Sequence, residues 1–260
     1  MLQVKIGLHL SSLRLPVAKA AAVARQMGVD AVEVDARGEL NPQDLSRTGL
    51  RQVRKLFDDL QLRVAAVTFR TRRGYNVKEE LDRRIEATRQ AMQFAFDLGA
   101  SVVVNQVGRV PEKEEGDSWT LLTEVLADLG RHGQRVGAML AAETGSEEGA
   151  DLARLLKALP AGALGVTFNP GNLIINGFSA SDAIRQLAPH VLHVHATDAV
   201  RDLGRGRGID VPLGRGSADY AEILSALEER QYGGYVGIER EPATASQLEM
   251  MQAIEYLRHM

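Results

Sequence analysis

The chain has 260 residues, 45% of them apolar and 25% charged, with a formal charge of -3 at pH 7. That balance is ordinary for a soluble globular protein and argues against broad contact with a phosphate backbone, which shows as a basic face. The absence of cysteine excludes thiolate nucleophiles, disulfides and thiolate-held zinc, leaving carboxylate and imidazole chemistry.

The opening MLQVKIGLHLSS has no cationic start before a long apolar stretch, and no run reaches the ~18 apolar residues of a membrane span. A cytoplasmic location with no membrane partner is the expectation. A predicted strand at 4–10 (VKIGLHL) leads into helical periodicity over PVAKAAAVARQMG, and one at 30–35 (DAVEVD) into PQDLSRTGLRQVRKLFDDL. The strand at 62–69 (LRVAAVTF) precedes KEELDRRIEATRQAMQFAFDLG, and that at 101–107 (SVVVNQV) precedes SWTLLTEVLADLGRHG. Strands at 136–142 and 163–169 lead into EEGADLARLLKAL and SASDAIRQLA; those at 190–196 and 235–239 lead into SADYAEILSALEER and TASQLEMMQAIEYLRH. Eight strands alternating with eight helices is the count of an α/β fold, a single (β/α)8 TIM barrel over residues 1–260. Gly28, Gly99 and Gly133 are expected as helix C-caps. A doubly wound open sheet is the runner-up, but no GxGxxG follows the first strand. The RTRR cluster at 70–73 reads as loop or helix charge, and the lone Trp119 as a packing residue.

Strand alternation assigns side chains to faces. Leu164, Val166 and Phe168 share one face, so Gly165, Thr167 and Asn169 point to the barrel axis. The same split turns Met139, Ala141 and Glu143 inward, with Tyr235, Gly237 and Glu239 on the last strand. His193 and His195 face in while Leu192 and Val194 face out; His9, Glu33 and Asp35 also lie opposite the apolar face. Polar groups at the C-terminal ends of barrel strands lie where such folds carry out chemistry. Glu143, Asn169, His195 and Glu239 meeting there suit one divalent cation, because carboxylates packed together without one repel and take up protons. The alternative is that backbone or water satisfies each separately.

The stretches NPGNLIING, VLHVHATD, VPLGRGSADY and YVGIERE, within 163–241, resemble the sugar phosphate isomerase/epimerase family of xylose-isomerase-like TIM barrels, of AP endonuclease family 2 type. The strand-seven pattern reads His193, His195, Asp198, then Pro212, Gly214 and Gly216. The resemblance implies one divalent metal, most often Mn²⁺, with Mg²⁺, Co²⁺ or Zn²⁺ as alternatives. Its ligands would be Glu143, Asn169, His195 and Glu239, and Glu143 and Glu239 would be the catalytic proton-transfer pair. Where the family carries Asp-x-x-His on strand six, this chain has Asn169 and Asn172, so weaker metal affinity is expected. Substrate contacts are expected from His9, Glu33, Asn172, His193 and Arg215. Arg215 reads equally as a solvated loop charge, His193 as a hydrogen-bonded barrel histidine, and His9 and Glu33 as barrel-floor packing. Asp198 is expected to support the metal ligands or to cap a turn, and RGRGIDVPLGRG to be a flexible cover over the substrate.

The expected activity is isomerisation or epimerisation of a sugar, keto-sugar or related polyol, by proton abstraction next to a metal-bound carbonyl. A lyase, dehydrating or eliminating from a keto-glycoside, would use the same site. A sugar-binding barrel with a degraded metal site is the non-catalytic alternative. The expected partner is a small carbohydrate in a homo-oligomer, dimer or tetramer. Nucleic acid is not expected, since endonucleases of this fold hold three zinc ions with many more histidines than the six here.

Overall fold

The computed structural model describes residues 4–201, 208–240 and 246–260. Strands β1 (Lys5–His9), β2 (Ala31–Asp35), β3 (Arg63–Thr68), β4 (Val102–Asn105), β5 (Met139–Glu143), β6 (Gly165–Phe168), β7 (Val191–Ala196) and β10 (Tyr235–Ile238) close a barrel. Every neighbouring pair is parallel, and β1 closes on β10 with Gly7 opposite Gly237. Helices α1 (Val17–Gln26), α2 (Arg47–Asp59), α3 (Leu81–Asp97), α4 (Asp117–Val136), α5 (Gly149–Ala158), α7 (Ala180–Leu187), α8 (Tyr220–Glu228) and α9 (Gln247–Arg258) are the expected eight. The barrel forms as predicted.

Alternation divides the apolar residues into two bodies. Outward Leu8, Val32, Val34, Val67, Leu140, Val166, Phe168, Val194, Val236 and Ile238 join the helices in one buried cluster. Ala66, Val102, Val104 and Ala141 form a second, smaller cluster inside the barrel. Leu192 packs against that inner cluster, contrary to its expected outward position. The cause is a bulge: Val166 pairs with Val191 and Thr167 with His193, so Leu192 is skipped and fills the space over Gly165.

Local signals set the helix ends. Ser46, Asp219 and Ser246 accept the N–H three residues on and start α2, α8 and α9; Ser179 does the same for α7. Gly28 and Gly99 follow α1 and α3 with positive φ, as expected, but Gly133 does not end α4. Helix α4 runs on to Val136 and stops at Gly137, φ 92°, while Gly133 sits in its interior, where a Cβ would press on the Ala138 carbonyl at 2.8 Å. Trp119 is buried in α4 with the Arg154 guanidinium 5.2 Å from its ring centre.

One helix and two strands among the described residues exceed the predicted count. A short helix α6 (Pro170–Ile175) follows β6, and a hairpin of β8 (Asp198–Val200) with β9 (Ile209–Val211) follows β7. The expected flexible cover, RGRGIDVPLGRG, is therefore partly a strand: residues 209–211 pair with β8, while 202–207 lie outside the described residues.

Candidate functional site

Consecutive strand ends deliver the polar groups. His9 ends β1, Glu143 ends β5, Asn169 follows β6, and Glu239 follows β10. Glu33 on β2 and His193 and His195 on β7 lie deeper, each at most 1% exposed. Arg70 enters from beyond β3, two residues past Thr68.

The deeper layer centres on Glu33. Its Oε2 meets His193 Nε2 at 2.9 Å and His195 Nε2 at 3.0 Å, and its Oε1 accepts from the Thr68 hydroxyl. Gly237 makes room for this layer, since a Cβ there would meet His193 Nε2 at 2.9 Å. Above it, His195 Nδ1 lies 3.0 Å from both Glu143 Oε1 and Glu239 Oε2. His9 Nδ1 lies 3.2 Å from Glu239 Oε1. Arg70 donates from Nε to Glu143 Oε2 at 2.9 Å and from Nη2 to Glu143 Oε1 and Glu239 Oε1, both at 2.7 Å.

Burial opposes charge throughout this cluster, yet the opposed charges win. Burial works against a charged His195, but Glu33, Glu239 and Glu143 raise its pKa well above the usual imidazole range. Both its ring nitrogens face carboxylate oxygens, so both carry protons as held. Burial likewise pushes Glu33, Glu143 and Glu239 up, and histidines, joined by Arg70 for the latter two, hold all three below the ordinary carboxylate range.

Single donor atoms of Glu143, His195 and Glu239 lie within 4.8 Å of one another, a spacing that can hold a metal ion. Asn169 does not complete that set. Its Oδ1 accepts from the Asn172 N–H at 2.9 Å, capping α6, and from the Thr197 hydroxyl at 2.6 Å. Both lone pairs are therefore engaged, and Asn169 turns Nδ2 to Glu143 Oε1 at 3.0 Å. Helix α6 explains this outcome, because its exposed N–H group needs an acceptor that the amide oxygen supplies. With Arg70 bridging the two carboxylates as well, the residues as arranged do not fit a four-ligand divalent site.

A polar pocket of about 340 Å³ opens above, lined by His9, Asp35, Arg70, Asn172 and Glu239 among others. A neighbouring pocket shares Gln106 and Asn172 with it and is walled by Glu143, Arg72 and Arg109. The side-chain amide of Asn172 has no hydrogen-bond partner among the described residues, which leaves it available to a ligand. Of the expected substrate contacts, His9 and Asn172 therefore reach the pocket, whereas Glu33 and His193 lie beneath it. Arg215 is exposed on a turn outside both pockets. Asp198 supports no metal ligand: Oδ2 accepts from the N–H groups of Gly214 and Gly216, and Oδ1 from those of Ala199 and Ala218. Arg70 is the site residue that the sequence reading missed.

Residues 21–260 match the family described as xylose isomerase-like TIM barrel. The chain belongs to that family. Inosose dehydratase of Clostridium beijerinckii is 25% identical over 239 residues, covering 79% of each chain. Among solved structures, the xylose isomerase domain protein of Planctomyces limnophilus superimposes with a TM-score of 0.86 at 24% identity, over 98% of this chain and 96% of that one. A D-tagatose 3-epimerase-like protein superimposes at 0.78 with 20% identity, over 98% and 96% of the two chains. The two solved structures share the barrel, and the named relatives in this family are sugar epimerase-like and dehydratase proteins. No helix among the described residues is long and apolar enough to cross a membrane.

Proposed function

We infer that the protein is a sugar isomerase or epimerase acting on a ketose, keto-sugar or related polyol. The observation that carries this reading is the Glu143–Glu239 pair: two carboxylates kept ionised and fixed by Arg70 and His195, opening on adjoining pockets at a barrel mouth. A substrate lying across both pockets places the C–H bond next to its carbonyl against one glutamate, which takes the proton as a carboxylate. Return to the neighbouring carbon, with the hydroxyl proton there passing to the former carbonyl oxygen, gives aldose/ketose isomerisation. Return to the opposite face by the second glutamate gives epimerisation: His195 Nδ1, 3.0 Å from both carboxylates, passes its proton to that glutamate and recovers one from the first. Asn172 and His9, which line the pocket, would hold substrate hydroxyls in this reading. A divalent ion, Mn²⁺ first among those to test, would draw its protein donors from Glu143, His195 and Glu239 only with Arg70 displaced and a proton lost from His195, and would then supply carbonyl polarisation; no step above runs through it.

The test is uptake of solvent deuterium by a panel of ketoses and 3-keto-glycosides. Glu143→Gln and Glu239→Gln are each expected to slow exchange by about 10²–10⁴-fold. An unchanged rate in either variant would overturn the assignment. The dehydratase relative favours one second reading, a lyase in which a leaving group departs from the carbon beyond the carbanion. Loss of water or of a glycosidic group among the products distinguishes it. Exchange on no member of the panel points to a sugar-binding barrel.

A further inference from the structure

Arg70 reaches across the barrel mouth from the end of β3 and clamps Glu143 with Nε and Nη2, at 2.9 and 2.7 Å, while the same Nη2 ties in Glu239 at 2.7 Å. Paired N–H bonds from a rigid guanidinium edge are the strong form of carboxylate recognition. A divalent ion joining Glu143 to Glu239 would draw on the same oxygen lone pairs, so guanidinium and ion exclude each other.

Asn169 points the same way. An Asp there would face Glu143 Oε1 across the 3.0 Å that Asn169 Nδ2 now spans as a donor. Three carboxylates at such spacing call for a dication, and together leave one net negative charge. Two glutamates with the guanidinium and the doubly protonated His195 are already neutral, which leaves no charge for a dication to balance. The amide at 169 and the guanidinium from residue 70 are thus matched to each other, and the capping and hydroxyl bonds on Asn169 Oδ1 fix the amide in its donor orientation. The remaining guanidinium nitrogen, Arg70 Nη1, makes no hydrogen bond among the described residues, and Arg70 lines the pocket beside His9 and Gln106.

We propose that Arg70 is the working cation of this site: it joins Glu143 to Glu239 and meets the substrate's carbonyl oxygen through Nη1, so that proton transfer needs no divalent ion. The proposal rests on reading the two glutamates as the proton-transfer pair. As a glutamate takes the proton, the C–H electron pair becomes the C=C bond of the enolate and the carbonyl π pair moves to oxygen. That oxygen accepts a hydrogen bond from Nη1 and gains the guanidinium charge as its own charge develops. The proton then returns to carbon from a glutamate, and nothing is oxidised or reduced.

Calorimetric titration with Mn²⁺ of EDTA-dialysed protein compares the natural chain with Arg70→Gln and Arg70→Met. The variants are expected to bind Mn²⁺ about tenfold or more tightly than the natural chain, because the charge-assisted bonds on Glu143 and Glu239 are gone. Equal or tighter binding by the natural chain overturns the proposal, as does a fall in melting temperature of the variants without a gain in Mn²⁺ affinity. Deuterium exchange by the natural chain in EDTA is the arm that needs no variant. Exchange that persists supports Arg70 as the cation, and exchange that appears only on adding Mn²⁺ overturns it. Absence of exchange with and without Mn²⁺ counts against the proton-transfer reading itself, and the titration then decides whether Arg70 holds the cation's place.

Discussion

At residue scale the site is a contest over the oxygens of Glu143. Arg70, His195 and Asn169 all approach them, and each supplies a proton rather than a lone pair. Asn169→Asp tests that arrangement, because it replaces a donor to Glu143 by a second carboxylate. The variant is expected to melt below the natural chain in EDTA and to show the larger rise in melting temperature on adding Mn²⁺; equal shifts in the two proteins would contradict it. Away from the site, Glu147 is 6% exposed, and burial raises its pKa against the bonds from the Ser146 hydroxyl and the Val110 N–H. A carboxyl whose folded pKa is raised adds stability below the unfolded pKa of about 4.3 and loses it as pH rises through the folded value. Thermal melts of Glu147→Gln from pH 4 to pH 8 should therefore show a gain over the natural chain that grows with pH. Glu143, His195 and Glu239 were visible in the sequence because each belongs to an alternating strand that gives its side chain a direction. Arg70 was not, since alternation stops at Thr68 and one arginine among RTRR carries no signal of where it turns.

At the scale of elements, the departures from a plain eightfold repeat lie on the C-terminal side of β6 and β7. Asp198 holds the turn after the hairpin with four backbone N–H groups, and Gly216 must lack a Cβ there because one would collide with the Asp198 carboxylate. Asp198→Ala leaves these donors without a partner and should cost about 3 kcal/mol in urea denaturation, at the upper end for an orphaned group because several are lost together. Helix α6 is likewise a product of capping: Asn169 and Pro170 are a favourable N-cap and first helical residue. That signal is present in NPGNLII, but a helix cap and a metal ligand draw on the same amide oxygen, which cannot serve both roles here. The bulge that turns Leu192 inward has no sequence signature. It depends on the vacancy above Gly165 in the neighbouring strand.

For the whole molecule, closure is the organising fact, since β1 meets β10 with Lys5 opposite Tyr235 at the two ends of the chain, and α9 seals that seam. Met250, Ala253, Ile254 and Leu257 of α9 are buried, and Arg258 binds the Gly28 carbonyl at 2.6 Å. Burial of the three larger side chains is worth about 1.5–3 kcal/mol each, comparable in sum to a protein's net stability of about 5–15 kcal/mol. A chain ending at residue 246 should lose its cooperative urea transition by circular dichroism; a retained transition would show that the seam closes without α9. Amino-acid order alone determined the eight strand–helix units, the inner and outer face of most strands and three of the polar groups of the site. Each follows from local periodicity, which a residue imposes on its near neighbours. Which cation those groups meet was decided only by tertiary structure. Arg70 and Glu239 are brought together by closure of the ring, and the direction of the Asn169 amide is set by a helix N–H and by Thr197, just past the end of the next barrel strand.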